Sequence, residues 1–507
     1  MKRFNLISLL ALCVFMSVSC SDWLDVKSDS QERAKDIFST YKGYKGALAG
    51  CYTAMASQNL YGMSLTMADI ECLACIWDEP SEQGLPALKM LHNHQYTDAR
   101  ARSSIKSIYG GLFNVVTQAN AIIQNLDNNK STISNEQSRN IIYAEAHAIR
   151  AFCQFDILRL FGQMPSKPQK TVSLPYSETS DIKSIPPYYS YNNYVAKLIA
   201  DLDIAEELFT KYDPAREYSF SQLEGSSEKS LPVEDDFLTF RRMRFNYWAV
   251  KALKARIYLY TGDTGMAYKL AKEVIESEVK GQKVVKLSGM EDIDKKYFAL
   301  PSECLFALAN NKLMNYSVNI IGGDPSVQID TKTTLYISEA KLNRQLYQGQ
   351  GTASNNRYLY VWERNTANAY GTRIPTLKKY YYDVAKQTDL NILHAKLQIM
   401  PLIRLSEMYL IAMETTADLT EANRLYKDYI QSHNVKITDD FTTLDAVHAE
   451  VVKEYLREFY GEGVMFYTYK RLGLTSIPWG KSPMGEDQYI LPLPESEFDP
   501  TLYPSTH

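Results

Sequence analysis

The stretch from Phe245 to Ile275 reads F-N-Y-W-A-V-K-A-L-K-A-R-I-Y-L-Y-T-G-D-T-G-M-A-Y-K-L-A-K-E-V-I, and it narrows the possible folds more than any other part of the chain. Ala255, Tyr258, Gly262, Ala267, Ala271 and Val274 are spaced as in a tetratricopeptide repeat. Gly262 makes the turn, and the alanines let two antiparallel helices cross closely. Such a pair cannot bury its apolar face alone, so it requires further helices stacked beside it.

The chain supplies them. A second pair is expected at Pro401 to Ile430, where Leu402, Leu405, Met408, Tyr409 and Ala412 precede Ala422, Tyr426 and Ile430. Tyr41 to Tyr52, Ile108 to Leu126, Tyr143 to Pro165, Tyr194 to Leu208 and Leu444 to Leu472 also read as helices. In Tyr143 to Pro165 a stripe of Ala144, Ala148, Ala151, Phe152, Phe155, Leu158 and Phe161 marks a core helix stopped by Gly162 and Pro165, with Arg150, Asp156 and Arg159 as partly exposed ion pairs. Counted from Ile108, about eight helices make about four repeat-like pairs, so the expected class is mostly α.

The pairs are not contiguous, which separates this chain from a free-standing solenoid. The scaffold is expected at roughly 105–280 and 400–475, interrupted by a loop-rich lobe at roughly 281–399. Within the lobe Glu303 to Leu308 reads as a short strand, Leu335 to Leu346 as a short helix, and Tyr358, Tyr360 and Trp362 alternate as in a strand. Gln58 to Ser104 is loop-rich, Ser166 to Pro187 an extended crossing, Lys211 to Asp236 irregular, and Tyr489 to Phe498 extended by its prolines. Aromatic-rich loops on a helical scaffold are the usual arrangement of a binding surface.

A net charge of −4 gives no general attraction to nucleic acid, and no basic cluster overrides it. The 37 tyrosines are the compositional outlier, since Tyr combines an apolar face with a polar tip. There is no G-x-S-x-G elbow, phosphate-binding loop, H-E-x-x-H or dinucleotide fingerprint, and the adjacent carboxylates Asp235-Asp236 and Asp439-Asp440 are sequence neighbours, which usually point apart; the chain reads as a non-enzyme without cofactor. Cys72 and Cys75 form a C-x-x-C near His92 and His94, for which buried thiols and loop histidines are the first reading and a metal or disulfide the second.

Met1 to Ser19 has a basic start, an apolar run and small residues before Cys20, which marks a secretory signal. Ser17-Val18-Ser19-Cys20 resembles a bacterial lipobox, with Ser17 in place of the usual Leu, and implies that Cys20 is lipidated as the first mature residue. Residues 20–40 would then be a tether, and 20–507 a single domain.

The run A-E-A-x-x-x-R-A-F with F-D-I-L-R-L-F-G-Q-M-P at Tyr143 to Pro165 resembles the signature helix of the RagB/SusD family, surface lipoproteins that capture nutrients for an outer-membrane transporter. Further blocks follow in family order: Ser21 to Val26, Tyr258 to Asp263, Ser302 to Leu308, Pro401 to Glu414, Glu454 to Gly473 and Ile490 to Glu497. Val464 and Thr468 depart from the family's usual charged residues. The resemblance implies a SusD-like fold and a glycan-binding lipoprotein of the outer membrane's outer face. It would deliver oligosaccharide, by a lid-like motion, to a SusC-like TonB-dependent transporter. The alternative is a peptide-binding or helical-repeat interaction protein.

Sugars stack C–H faces on aromatic rings while their hydroxyls bond polar side chains, so a site needs both kinds together. Two groups qualify: Trp77-Asp78 with Tyr96, and Asn310-Asn311 with Tyr316, joined by Tyr358 and Trp362. The resemblance implies a site where the early loops meet the inserted lobe. No metal site is expected.

Overall fold

The computed structural model describes residues 35–498 apart from 182, 225–232, 234, 365–370, 372, 388, 390–391, 438 and 482. The expected signal peptide, Cys20 and all but the end of the tether lie outside the described residues. The helices are α1 (Tyr41–Met55), α2 (Asp69–Leu73), α3 (Pro86–His92), α4 (Ala99–Asn128), α5 (Glu136–Phe161), α6 (Tyr191–Tyr212), α7 (Tyr247–Thr261), α8 (Thr264–Ile275), α9 (Leu313–Ile321), α10 (Leu405–Thr415), α11 (Leu419–Ser432), α12 (Leu444–Glu458) and α13 (Met465–Leu472), with shorter turns between them. The protein is mostly α, as its periodicity requires.

Capping fixes where the long helices start. Asp98, Asn135, Asn246 and Asp263 accept backbone N–H bonds at the openings of α4, α5, α7 and α8, satisfying donors that the helices leave free. Gly262 closes α7 in the left-handed conformation at φ +91°, and Asp263 starts α8 at once. Neighbour follows neighbour: α1 packs on α4, α4 on α5, α5 on α6, α6 on α7, α7 on α8, α8 on α10, and α10 on both α11 and α12.

Helix α5 sits in the middle of this stack, and every residue from Ala144 to Phe161 is buried. Its charges are therefore not partly exposed ion pairs. Arg150 bonds both carboxylate oxygens of Asp201 on α6, at 2.8 and 2.5 Å, and His147 meets the same carboxylate at 2.9 Å. Glu145 receives Arg241 at 2.5 Å, and Asp156 pairs with Arg159. Polar groups taken from water have been matched inside the protein, which keeps their burial tolerable.

The inserted lobe leaves and returns at one place. After the short paired strands β1 (Leu174–Pro175) and β2 (Tyr188–Tyr189), strand β3 (Cys304–Ala309) pairs antiparallel with Ile399–Arg404, with Ala309 opposite Ile399 and Cys304 opposite Arg404. This ladder brackets residues 310–398, so their ends are held together as in a domain insertion. Asn246, the cap of α7, donates to the Leu305 carbonyl at 2.8 Å and ties the ladder to the scaffold.

Several local expectations change. Pro401 to Arg404 is strand, and α10 starts only at Leu405. The expected helix from Leu444 to Leu472 is two helices, broken where Gly461 and Gly463 adopt φ +77° and +76°. Arg357–Val361 is a wide helical turn, and only Trp362–Glu363 is strand, paired with Thr376–Leu377. Tyr358, Tyr360 and Trp362 therefore do not alternate across a sheet. The closing segment is not wholly extended, since Glu486–Tyr489 and Glu495–Phe498 are helical turns.

The Arg150–Asp201 pair gives a pH-dependent stability. Burial alone would raise the Asp201 carboxyl, but the hydrogen bonds from Arg150 and His147 outweigh it and hold the pKa at about 2. Because this lies below the unfolded value near ~3.9, the stabilisation is complete above that value and is lost as pH falls through about 2. Asp201→Asn should therefore lower unfolding free energy by about 2–3 kcal/mol at pH 7, with the deficit shrinking toward pH 2 in urea titrations.

Candidate ligand-binding site

The early loops do meet the inserted lobe, and Asp78 makes the join. Its backbone N–H donates to the Tyr336 carbonyl at 2.8 Å, its carboxylate accepts from the Ser338 N–H at 2.7 Å, and Lys341 lies 2.6 Å away. Asp78 is thus occupied in holding residues 336–341.

The aromatic residues expected to stack on ligand are mostly inside. Trp77 is 1% exposed, donates its indole N–H to the Met67 carbonyl at 3.0 Å, and packs edge-on to Tyr460 at 4.8 Å. Trp362 meets the other side of Tyr460 at 5.2 Å, so the three rings form one buried cluster between early loop, lobe and scaffold. Tyr96 is buried, with its hydroxyl on the Gln488 carbonyl, and Tyr358 is buried against Tyr347 with its hydroxyl on Asn343. The reason is local: the polar tips of Trp77, Tyr96 and Tyr358 find partners within the fold, so burial leaves nothing unsatisfied.

Asn310 is buried too and bonds the Ala56 carbonyl at 2.9 Å, fastening the end of β3 to α1. Asn311 is exposed and Tyr316 half-buried on α9. In this conformation Asn311 and Tyr316 are the two expected ligand contacts that keep substantial surface, apart from the polar edge of Asp78. Cys72 and Cys75 are buried free thiols, with Cys75 directed at the His92 carbonyl.

A different aromatic residue does present its face. Trp77, Trp248 and Trp362 are buried, while Trp479 is half-buried, the one tryptophan among the described residues with an accessible ring. It stands in the turn Ile477-Pro478-Trp479-Gly480, closed by a Gly480 N–H to Ile477 carbonyl bond of 3.2 Å. Trp479 holds φ +64° at the third position of this turn, where glycine or asparagine is usual, and a bulky residue there costs roughly 1–3 kcal/mol. Its indole N–H donates to Gln345, and Lys341 lies 5.0 Å from the ring centroid.

Around it the polar groups converge from three segments. Lys341 and Gln345 come from the lobe, Asp78 and Glu79 from the early loop, and Lys481 from the loop of Trp479 itself; Lys481 pairs with Glu79, which Asn93 also bonds at 3.2 Å. The Lys481 hydrogen bond holds the Glu79 carboxyl below its ordinary value. An aromatic face ringed by amide, ammonium and carboxylate groups is the chemistry a polyhydroxylated ligand requires. The sequence signal for it was the tripeptide Pro478-Trp479-Gly480, a turn forced to carry a bulky ring.

The peptide alternative needed an open groove along α7 and α8. Every residue of α7 except Tyr258 and Thr261 is buried, so its faces are already covered.

No family model matches the chain. Over 98% of its length it is 21% identical to SusD-like protein P2 of Formosa agariphila, covering 97% of that protein. A SusD superfamily protein from Bacteroides thetaiotaomicron superposes with a TM-score of 0.67 at 21% identity, covering 91% of this chain and 98% of that one. A laminarin-binding SusD-like protein gives 0.62 at 16% identity, with 91% and 97% covered. The fold, a helical scaffold with an inserted loop-rich lobe, is that of the SusD superfamily. Over its whole length the chain is similar to a curated SusD-like protein, and it shares the fold of these SusD superfamily structures.

The early loop is tied to the turn after α12 by Glu71, a fully buried carboxyl group on α2 that accepts the Gly461 and Gly463 N–H groups at 3.0 and 2.9 Å. Burial pushes its pKa up to about 8, against the lowering pull of those bonds and of Lys379. The folded protein then holds a proton that the unfolded chain releases near ~4.3, so stability falls as pH rises between those values. Glu71→Gln should flatten this fall, which reaches about 1.4 kcal/mol per pH unit, when urea unfolding is compared at pH 5 and 8.5.

Proposed function

We propose that this protein binds oligosaccharide at the junction of early loop, inserted lobe and Trp479 turn, and hands it to a SusC-like TonB-dependent outer-membrane transporter. It acts as a binder and not as an enzyme. Lipidated Cys20 would hold it at the cell surface, with several acyl chains giving stable anchorage where one gives only reversible binding. The single observation that carries the reading is the accessible, conformationally strained Trp479 ring among Lys341, Gln345 and Glu79. The likeness to a laminarin-binding SusD-like protein agrees with a glycan as ligand. Asn311 and Tyr316 stay in the proposal as accessible contacts, whereas Trp77, Asp78, Tyr96, Asn310, Tyr358 and Trp362 enter it as supports of the loops.

Calorimetry on the soluble form beginning after Cys20, against a panel of neutral oligosaccharides, tests this. Trp479→Ala should weaken binding at least tenfold, about 1.4 kcal/mol, in a protein that circular dichroism shows to be folded. Trp77→Ala should instead cost about 3–5 kcal/mol of folding stability. Unchanged affinity in Trp479→Ala removes the site, and co-purification from membranes without a transporter removes the delivery step.

A further inference from the structure

A second trough runs along the first half of α4, and it contains a glycine that the fold does not need. Gly110 and Gly111 lie in the interior of a 30-residue helix, where each costs roughly 1 kcal/mol relative to alanine. Gly111 has a packing reason: a Cβ there would stand 2.8 Å from the Asn59 amide nitrogen and 3.0 Å from Leu60. Gly110 has none, since a Cβ would meet nothing within 4 Å. What its missing side chain does is keep open the floor of a depression of about 290 Å³.

The walls of that depression are rigid. Pro175 and Pro186 flank it from the crossing segment, and Pro494 from the closing segment. Tyr188, held opposite Pro175 in a two-residue ladder, is 44% exposed and fixes its hydroxyl on Glu497 at 2.7 Å. Beneath it Tyr109 is wedged between Phe113 and Phe161, at 4.8 and 4.9 Å. The Tyr109 hydroxyl is buried beside the Glu497 carboxylate, the same group that holds the Tyr188 hydroxyl.

The depression continues. A second hollow of about 290 Å³ adjoins it on α4, sharing Lys106 and Pro494 and reaching Arg102, which pairs with Glu495 at 2.5 Å. We infer that this trough is a second saccharide-binding site, taking a neutral oligosaccharide whose C–H faces stack on Tyr188 and Phe113 while its hydroxyls bond Glu497, Lys106 and the Tyr109 hydroxyl. Arg102 and Lys106 balance Glu495 and Glu497 on the rim, so the trough carries no net charge to draw an ionic ligand. Two adjoining hollows suit a chain of sugar rings better than one ring. The ligand class rests on the carbohydrate reading above, but no residue is shared with the Trp479 site.

The test uses the full soluble protein and five probes: maltohexaose, laminarihexaose, cellohexaose, xylohexaose and mannohexaose. Wild type should titrate with two sites for at least one probe, and Trp479→Ala with one. Gly110→Leu, which fills the trough and favours the helix, and Tyr188→Ala, on an exposed ring, should each remove that remaining site, with at least a tenfold loss of affinity. Circular dichroism confirms that both variants fold. Binding by Trp479→Ala that neither second change weakens overturns the trough and leaves the Trp479 site standing. Loss of all binding in Gly110→Leu with Trp479→Ala unaffected supports the trough and overturns the Trp479 site. Absence of binding to all five probes overturns both.

Discussion

Arg404 is the side chain on which the joining of lobe to scaffold depends. It is 1% exposed and bonds Glu303, Glu458 and Glu462 at 2.7 to 3.0 Å, three carboxylates from the start of β3, the end of α12 and the turn after it. Lys379 and Arg357, both from the lobe, enter the same cluster through Glu462, Glu454 and Glu458. The carboxylates are not equivalent. Burial would raise Glu458, yet Arg404, His433 and Arg357 hold it well below its ordinary value, whereas for Glu303 burial wins over Arg404 and the pKa rises. Removing one partner from such a cluster leaves an uncompensated buried charge, so its members specify one arrangement of lobe on scaffold.

That arrangement has a consequence for binding. Lobe residues 310–398 leave and return through one ladder, are pinned beneath by Arg357 and Lys379, and are pinned at the edge by Asp78. The loops around Trp479 are therefore irregular without being loose. A site whose groups are placed before ligand arrives loses less ordering entropy on binding, which matters for sugars because each contact with them competes with water.

The scaffold was legible in the sequence because helix pairing obeys one period, and the stripes at Ile108 to Leu126 and Tyr143 to Pro165 named the faces that pack. The charges on α5 were misplaced to the surface because their partners, Asp201 and Arg241, lie on segments distant in sequence. The break at 459–464 is hidden for a similar reason: the need of Gly461 and Gly463 for positive φ follows only from Glu71 and the backbone of Leu65. Early loop and lobe do meet, through Asp78, but the aromatic residues at that junction are the ones that glue it. Trp77 and Trp362 look like stacking platforms in sequence because exposure is not encoded by residue type, and only the Met67 carbonyl and the Tyr460 ring reveal them as core.

A better signal than aromaticity is a residue that breaks a local rule without a packing reason. Gly463 breaks helix propensity but is required, since a Cβ there would lie 2.1 Å from the Leu65 carbonyl oxygen. Leu300 adopts left-handed φ, yet its side chain is buried and repaid by packing. Trp479, half-buried against the core, and Gly110, exposed on its helix, differ from these in keeping surface. One carries a bulky ring where a turn wants glycine, and the other carries no side chain where a helix wants one, with open space beside it. Each sacrifices local stability at a point where the surface gains, respectively, a raised aromatic face and an open floor. Consistency between local preference and global fold is what folding alone would select, so departures from it that keep surface are the positions to test for binding.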